Sequence, residues 1–401
     1  MSLRSALDTE DGTTAPTARA LSIAIGIYRL LPRGGLEDNC IRIAKALTER
    51  GHEVTIFVSA DHPDLPIPTV SLAPASRPFS NHARVAEFAR AFAAATKSGY
   101  ERVVAFQPIP RADVLFSADW IRNRKETSLW RRLTPRFRTY ADLEAGCFSA
   151  ASKTRILGLS EPQMQAYVER YGTSSDRIAI LPPTLPLAIC QPERRTAKTR
   201  RRVRASLGID ERSTVWLWLG LQPAVKGLDR VLDALIDHQD THLIVAGFPP
   251  SDRKAAQYKA DALKKGVGNR VHWLGYIAGE ELLDVIAAAD ALAHPARVDV
   301  TGGVILESIV NGLPVVASAV CGFADHVRKG DAGRIVPEPF SAEIFSQALG
   351  DVCGPANERY SANGIRYGRR PELYSGTSAA CDLIEAETWP LAGRPAERTA
   401  S

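Results

Sequence analysis

Two carboxylates eight positions apart frame the stretch HPARVDVTGGVILESIVNGLPVVAS, which begins at His294. Asp299 precedes the Gly302-Gly303 pair, and Glu307 falls about one turn into the apolar helical pattern that follows. A helix that starts after glycines presents free backbone N–H groups and the positive end of its dipole. The N–H groups around Gly302, Gly303 and Val304 therefore suit a phosphate. Side chains on a helix lean toward its N-terminus, which brings Glu307 toward the same ligand, while Asp299 approaches from the loop. Two acceptors beside an anion site could grip sugar hydroxyls around a diphosphate. The plainer alternative makes Glu307 a first-turn acid favouring the dipole and Asp299 a turn residue. Lys226, before Gly227 in WLWLGLQPAVKGLDRVLDAL, could neutralise a diphosphate as a point charge, or be a solvated surface lysine.

These residues need strands and helices to hold them. LSIAIGIY reads as a short buried parallel strand. A Gly34-Gly35 loop follows, then helical spacing at Ile41, Ile43, Ala44 and Leu47, a stop at Gly51 and a second strand, HEVTIFVSA. The glycines allow close backbone approach to a ligand but do not form G-x-G-x-x-G, so a dinucleotide reading is weak. RVVAFQ, DVLFSAD, TRILGLS and RIAILPP continue the alternation. The pattern breaks at Pro182-Pro183 and a polar, basic stretch over residues 194–204 reads as a solvated linker. TVWLWLG, THLIVAGF, RVHWLGY, ALAHPA and PVVAS then repeat the theme, with helices GLDRVLDALIDH, EELLDVIAAAD and ILESIVNG between them. The expected fold class is α/β, two Rossmann-like doubly wound domains with a cleft between them, where strand-end loops would meet. The expected divisions are residues 1–20 as a disordered tail and 21–183 as an acceptor-side domain. Residues 184–365 form a nucleotide-sugar domain, 366–388 a helix returning to the first domain, and 389–401 a tail.

Bulk properties bound the function. A chain of 401 residues suits two domains, and 45% hydrophobic with 24% charged residues is ordinary globular composition. A net charge of +5 is too small to argue for nucleic acid. Six cysteines occur singly, without C-x-x-C, which suggests neither zinc nor a disulfide framework and fits a reducing cytoplasm. No apolar run reaches the ~20 residues of a membrane span, and the first stretch lacks a signal-peptide core.

The segments LPRGGLEDNCIRIAKALTERGHEVTIF, AVKGLDRVLDAL and DVTGGVILESIVNGLPVVAS together resemble the family 4 retaining glycosyltransferases of GT-B fold, the last as an E-x7-E element with Asp in first place. The resemblance extends to the lipopolysaccharide-core glucosyltransferases of that family through IYRLLPRGGLEDNCIRIAKAL, SNHARVAEF, ADVLFSAD, RRLTPRFRTYADLEAGCF and RIAILPP, and covers residues 21–383. It implies transfer of a hexose, glucose from UDP-glucose, to a lipopolysaccharide-core or other glycolipid acceptor, with retention and with neither metal nor cofactor. It implies donor contacts from Gly34, Gly35, Lys226, Asp299, Gly302, Gly303, Val304 and Glu307. Catalytic roles would fall to Lys226, Asp299 and Asp113, the last at a first-domain strand end near the reacting centre, and His82 would serve the acceptor.

Three departures qualify the resemblance. Asp299 is one methylene shorter than the usual Glu. Ala224 and Val225 stand where the family places an arginine beside the lysine, so Arg297 is the candidate replacement on the diphosphate. Asn39 stands where the family has an acid, with Glu37 and Asp38 just before it. The basic and aromatic stretch DWIRNRKETSLWRRLTPRFRTY, with Arg131, Arg132 and Arg136, suits an anionic membrane surface or phosphorylated glycolipid, and implies peripheral attachment to the inner face of the cytoplasmic membrane. Its alternative is a solvated helix face. A different donor sugar, a small-molecule acceptor, or a pseudoenzyme that binds nucleotide sugar remain open alternatives.

Overall fold

The computed structural model describes residues 19–30, 35–59, 62–72, 80–122, 128–249 and 253–388. Of the tails expected over residues 1–20 and 389–401, residues 1–18 and 389–401 lie outside the described residues. The chain divides into two units, residues 1–184 with 375–401, and residues 185–374.

The first unit is built on strands β1 (Ser22–Gly26), β2 (Glu53–Val58), β3 (Thr69–Ser71), β4 (Arg102–Ala105), β5 (Val114–Ser117), β6 (Arg155–Gly158) and β7 (Ile178–Ile180). Their order is β3-β2-β1-β4-β5-β6-β7, all parallel. The second unit carries β8 (Thr214–Leu219), β9 (Thr241–Ala246), β10 (Val271–Gly275), β11 (Ala291–His294), β12 (Val315–Ser318) and β13 (Gly333–Val336). Here the order is β10-β9-β8-β11-β12-β13, again parallel. In both sheets the chain order reverses once, between β1 and β4 and between β8 and β11. These are the two places where strand-end loops diverge and leave room for a ligand.

The strands read as unbroken apolar runs because each sheet is covered on both faces. In β8, Val215, Leu217 and Leu219 join one core cluster, while Trp216 and Trp218 join another on the opposite face. Two strands were not expected. Thr69–Ser71 is three residues long and largely exposed. The other, GRIV, opens on Gly333, where a Cβ would fall 1.9 Å from Val315 O, so close strand packing demands the glycine that makes the segment look like a turn.

Two expectations are corrected. The basic stretch of residues 194–204 is no solvated linker: most of it is the helix Ala197–Ser206, packed on the helix Gly279–Ala288. Arg204 is 0% exposed. It donates to Asp290 Oδ2 (2.7 Å) and to Ser213 O (2.6 Å), and Arg200 takes Asp290 Oδ1 (2.5 Å). Arg194 and Arg202 pair with Asp284 on the facing helix. These four arginines are thus paired within the unit. Secondly, residues 366–374 stay with the second unit, because Tyr367 and Leu373 are part of its core. The chain re-enters the first unit at Ser375, and the helix Gly376–Glu385 packs on the helix Gly35–Glu49. Arg50 pairs there with Asp382 (2.7 Å) and Glu385 (3.0 Å).

Removing one partner of a buried ion pair leaves an uncompensated charge, which costs about 3 to 5 kcal/mol. Since Arg200 still serves the other oxygen of Asp290, Arg204→Ala should destabilise by about 3 kcal/mol, read as a lowered urea midpoint. An unchanged midpoint would show that the helix is held by its apolar contacts alone.

Candidate functional site

The loops after β8 and β11 meet where the strand order of the second sheet reverses. Gly227 has φ 72°, and a Cβ there would lie 2.1 Å from Pro295 O. Only glycine lets the two loops touch. Arg297 N donates to Val225 O (2.8 Å) and Trp218 Nε1 to Lys226 O (3.1 Å), fixing the backbone on either side of Lys226.

Asp299 joins the two loops electrostatically. Its Oδ2 lies 2.6 Å from Lys226 Nζ and 2.9 Å from His294 Nε2, and its Oδ1 accepts from Gly302 N at 2.9 Å. Only 8% of Asp299 is exposed. Burial alone would raise its pKa; the hydrogen bond and charge of His294 and then those of Lys226 outweigh it and hold the carboxyl at about 2. His294 Nε2, Asp299 and the Cys321 thiol are close enough to hold a metal ion. The Lys226 ammonium is already on that Asp299 oxygen, and burial pushes the Cys321 thiol up to about 12. In this structure the cation beside Asp299 is the lysine.

The helix Gly303–Val310 begins immediately beyond, with Gly302 in the left-handed region at φ 77°. Among the described residues the N–H groups of Gly303 and Val304 find no acceptor, and a Cβ on Gly303 would meet nothing within 4 Å. This is an open helix N-terminus with Lys226 beside it, an arrangement that receives an anion. Glu307 is half-buried one turn along, its backbone carbonyl accepting from Asn311 Nδ2 (2.8 Å).

The structure thus brings Lys226, Asp299, Gly302, Gly303, Val304 and Glu307 to one strand-end region. Arg297 it commits elsewhere. Its guanidinium forks onto Asp229 (2.8 and 2.5 Å) and reaches Ala224 O (2.8 Å), so it staples the two loops rather than standing free beside the anion site. Asp299, too, is less open than a sugar-gripping acid would be, with three donors already on its two oxygens.

In the first unit, Gly34 lies outside the described residues and Gly35 begins the helix after β1, its carbonyl accepting from Asn39 Nδ2 (2.7 Å). The expectation for Asp113 is corrected. It stands before β5, at the amino end of a parallel sheet, and its Oδ2 accepts from Val103 N (2.8 Å). The carboxyl end of β5 carries Asp119, the second acid of ADVLFSAD. Asp119 faces the ligand-bearing edge of the sheet, near enough to Glu37 to help burial raise that residue's pKa. The signal that separates the two acids is strand polarity: in a parallel sheet the acid after the apolar run, not the one before it, reaches the ligand edge. His82 hydrogen-bonds its neighbour Ser80 (3.2 Å) in the first turn of the helix Asn81–Ala95. Arg131 and Arg132 end the short helix Leu129–Arg132, and Arg136 follows on Pro135–Phe148. Arg124 and Lys125 lie outside the described residues.

Known proteins resemble this chain. Residues 199–365 match the family model described as glycosyl transferases group 1. Over 377 residues the chain is 31% identical to the lipopolysaccharide glucosyltransferase WaaG of Escherichia coli (strain K12), covering 90% of this chain and 98% of the relative. The chain belongs to the group 1 glycosyltransferases. A crystal structure of WaaG, described as a glycosyltransferase involved in lipopolysaccharide biosynthesis, superposes with a TM-score of 0.81 at 30% identity over 90% of this chain and 99% of that one. This glycosyltransferase accordingly has the GT-B fold. HepE of Anabaena, solved with UDP and glucose, matches with a TM-score of 0.69 at 18% identity over 91% of this chain and 99% of that one, a likeness of fold.

The low pKa of Asp299 has a consequence for acid stability. Its folded value, about 2, lies below the ordinary 3.8, so its contribution is fully present above about pH 4 and is lost as pH falls through 2. The stability gap between the wild type and Asp299→Asn, measured by urea unfolding, should therefore narrow by about 2 kcal/mol over that window. A constant gap would mean that the carboxylate is not held by His294 and Lys226.

Proposed function

We propose that this glycosyltransferase transfers a hexose, glucose from UDP-glucose, to a lipopolysaccharide-core or related glycolipid acceptor, with retention of anomeric configuration and without a metal. The reading is carried by the open N-terminus of the helix Gly303–Val310 beside Lys226. A departing diphosphate there would gain two backbone N–H donors, the helix dipole and one ammonium. Preorganised groups of this kind stabilise developing charge at little reorganisation cost. Glu307, one turn in, suits the ribose hydroxyls. The acceptor class follows that of the lipopolysaccharide glucosyltransferase WaaG, to which the chain is similar along nearly its full length.

Asp299 has a double part in this reading. It orients Lys226 and the helix start, and it leaves little carboxylate surface for the transferred sugar. Discrimination among hexoses would then be weaker than in a site with a longer, freer acid. A second reading, a nucleotide-sugar binder with feeble transfer, is favoured by the commitment of Arg297 to Asp229, which takes it away from the part of second cation beside Lys226.

The reaction would take place at a membrane. No helix among the described residues is long and apolar enough to cross one. Leu129, Trp130 and Leu133 are 74%, 84% and 57% exposed. Arg131, Arg132 and Arg136 alternate with them, which combines apolar insertion with attraction to anionic headgroups.

Incubation with UDP-glucose and a truncated lipopolysaccharide core should give a product heavier by one hexose, with the donor's anomeric configuration by NMR. Lys226→Ala should lower kcat/KM about 10²-fold or more. Binding of UDP-glucose without any transfer would favour the second reading. Replacing Leu129 and Trp130 together by alanine removes about 3 kcal/mol or more of insertable apolar surface. It should lower partition onto anionic vesicles about 100-fold or more and leave the thermal shift by UDP unaltered.

A further inference from the structure

The helix Gly303–Val310 carries the anion site at its start and Glu307 within it. A glycine turn joins it to the chain at either end: Gly302 has φ 77° and Gly312 has φ 73°. Ile305, Leu306, Ile309 and Val310 bury its apolar face in the core of the second unit. Apolar contact is non-directional and tolerates small slides and rotations. At eight residues and ~1.5 Å per residue the helix is about 12 Å long, so a displacement of one end reaches the other. Directional bonds must therefore set its position. At the amino end that bond runs from Gly302 N to Asp299 Oδ1. At the carboxyl end it is supplied by Asn311.

Asn311 is buried. Its Nδ2 donates to Glu307 O (2.8 Å) and to Ile189 O (2.9 Å), and its Oδ1 accepts from Gln191 N (2.8 Å). A carbonyl only accepts and an N–H only donates, so these three partners fix which way the amide points. The backbone N–H of Asn311 turns to Ser308 O (3.2 Å), so the bond to Glu307 O, four residues back, is made by the side chain instead. Ile189 and Gln191 lie near the start of the second unit, which begins at Leu185. Between them, the Cys190 thiol reaches Val310 O (3.9 Å). The carbonyl of the residue that bears the Glu307 carboxylate is thus tied, through one amide, to the segment that enters the unit. No other side chain of this length offers two donors and an acceptor.

We propose that Asn311 is a positioning residue for the nucleotide-sugar donor, holding Glu307 where its carboxylate meets the ribose hydroxyls. The proposal rests on the reading of this helix as part of a nucleotide-sugar site. Asn311 stands at the opposite end of the helix from the anion site, so it acts through Glu307 and not by contact. Removing the amide leaves two carbonyls and one N–H without this partner, which frees the helix end while the apolar face stays packed. A misplacement of about 1 Å at a ligand-binding group is enough to weaken its contacts severely.

The test is a double-mutant cycle read by calorimetric titration of the full chain with UDP. Asn311→Ala should raise the Kd about tenfold in the wild-type background. In the Glu307→Ala background the same change should alter it less than about twofold, because the group through which Asn311 acts is gone. In turnover with UDP-glucose, Asn311→Ala should raise KM about tenfold and change kcat less than about twofold. Asn311→Asp has the same size, keeps an acceptor for Gln191 N and loses both donations. It should behave as the alanine variant does, and it carries the test if that variant does not fold. An unchanged Kd in the Asn311 variants would overturn the proposal. So would an equal loss with and without Glu307, which would make the amide a support of the fold at large, and so would failure of both variants to fold. Equal UDP affinity of wild type and Glu307→Ala would overturn it together with the donor role of Glu307. Absence of UDP binding by the wild type would remove the nucleotide-sugar reading as well.

Discussion

A buried carboxylate with three donors on it organises the second unit. Asp299 lies on the β11 loop and Lys226 on the β8 loop, and the backbone bond of Arg297 N to Val225 O joins the two loops. The ion pair does so across the reversal of strand order, with His294 behind it and Gly302 N beneath it. In so dry a place an unpaired Asp299 would be costly, so the loop geometry and the charge pattern enforce each other. The open helix start, the direction of Lys226 and the contact at Gly227 all follow from that closure. Arg297 on Asp229 repeats the device at the surface, where solvent weakens it.

The same closure shapes specificity. A longer acid in place of Asp299 could extend past the lysine toward a ligand, whereas Asp299 ends at Lys226, His294 and Gly302. On the proposed reading, its role shifts from touching a sugar toward holding the groups that would meet a diphosphate. The first unit has a strand-end cavity of its own, lined by carboxylates as well as by donors. Both sites sit at the single reversal of strand order in their own sheet. A parallel sheet offers an open edge there because neighbouring loops leave in opposite directions.

Much of this was legible in the residue order. Both sheets appear as apolar runs separated by helical spacing, and the family shows in the glycines and charges around Lys226 and Glu307. Strand polarity was legible as well, yet needed correct use: ADVLFSAD contains both Asp113 and Asp119, and only the end of the apolar run distinguishes the acid on the ligand edge from the one capping Val103 N. The basic stretch of residues 194–204 misled for a different reason. A run of arginines reads as solvated, and nothing local announces that Asp284 and Asp290, more than 80 positions away, will neutralise it.

By itself, then, the sequence determined what short-range physics encodes. Alternation of buried runs and helical periods sets the two doubly wound units, and glycines at Gly227 and Gly302 set the turns that need positive φ. The tertiary structure decided which charges meet. Whether Lys226 faces a ligand or Asp299, whether Arg297 is free or held by Asp229, and whether Arg204 is solvated or buried all depend on distances between loops remote in the chain. Electrostatic partners are chosen by those distances and by local dryness, neither of which a residue's type or spacing carries.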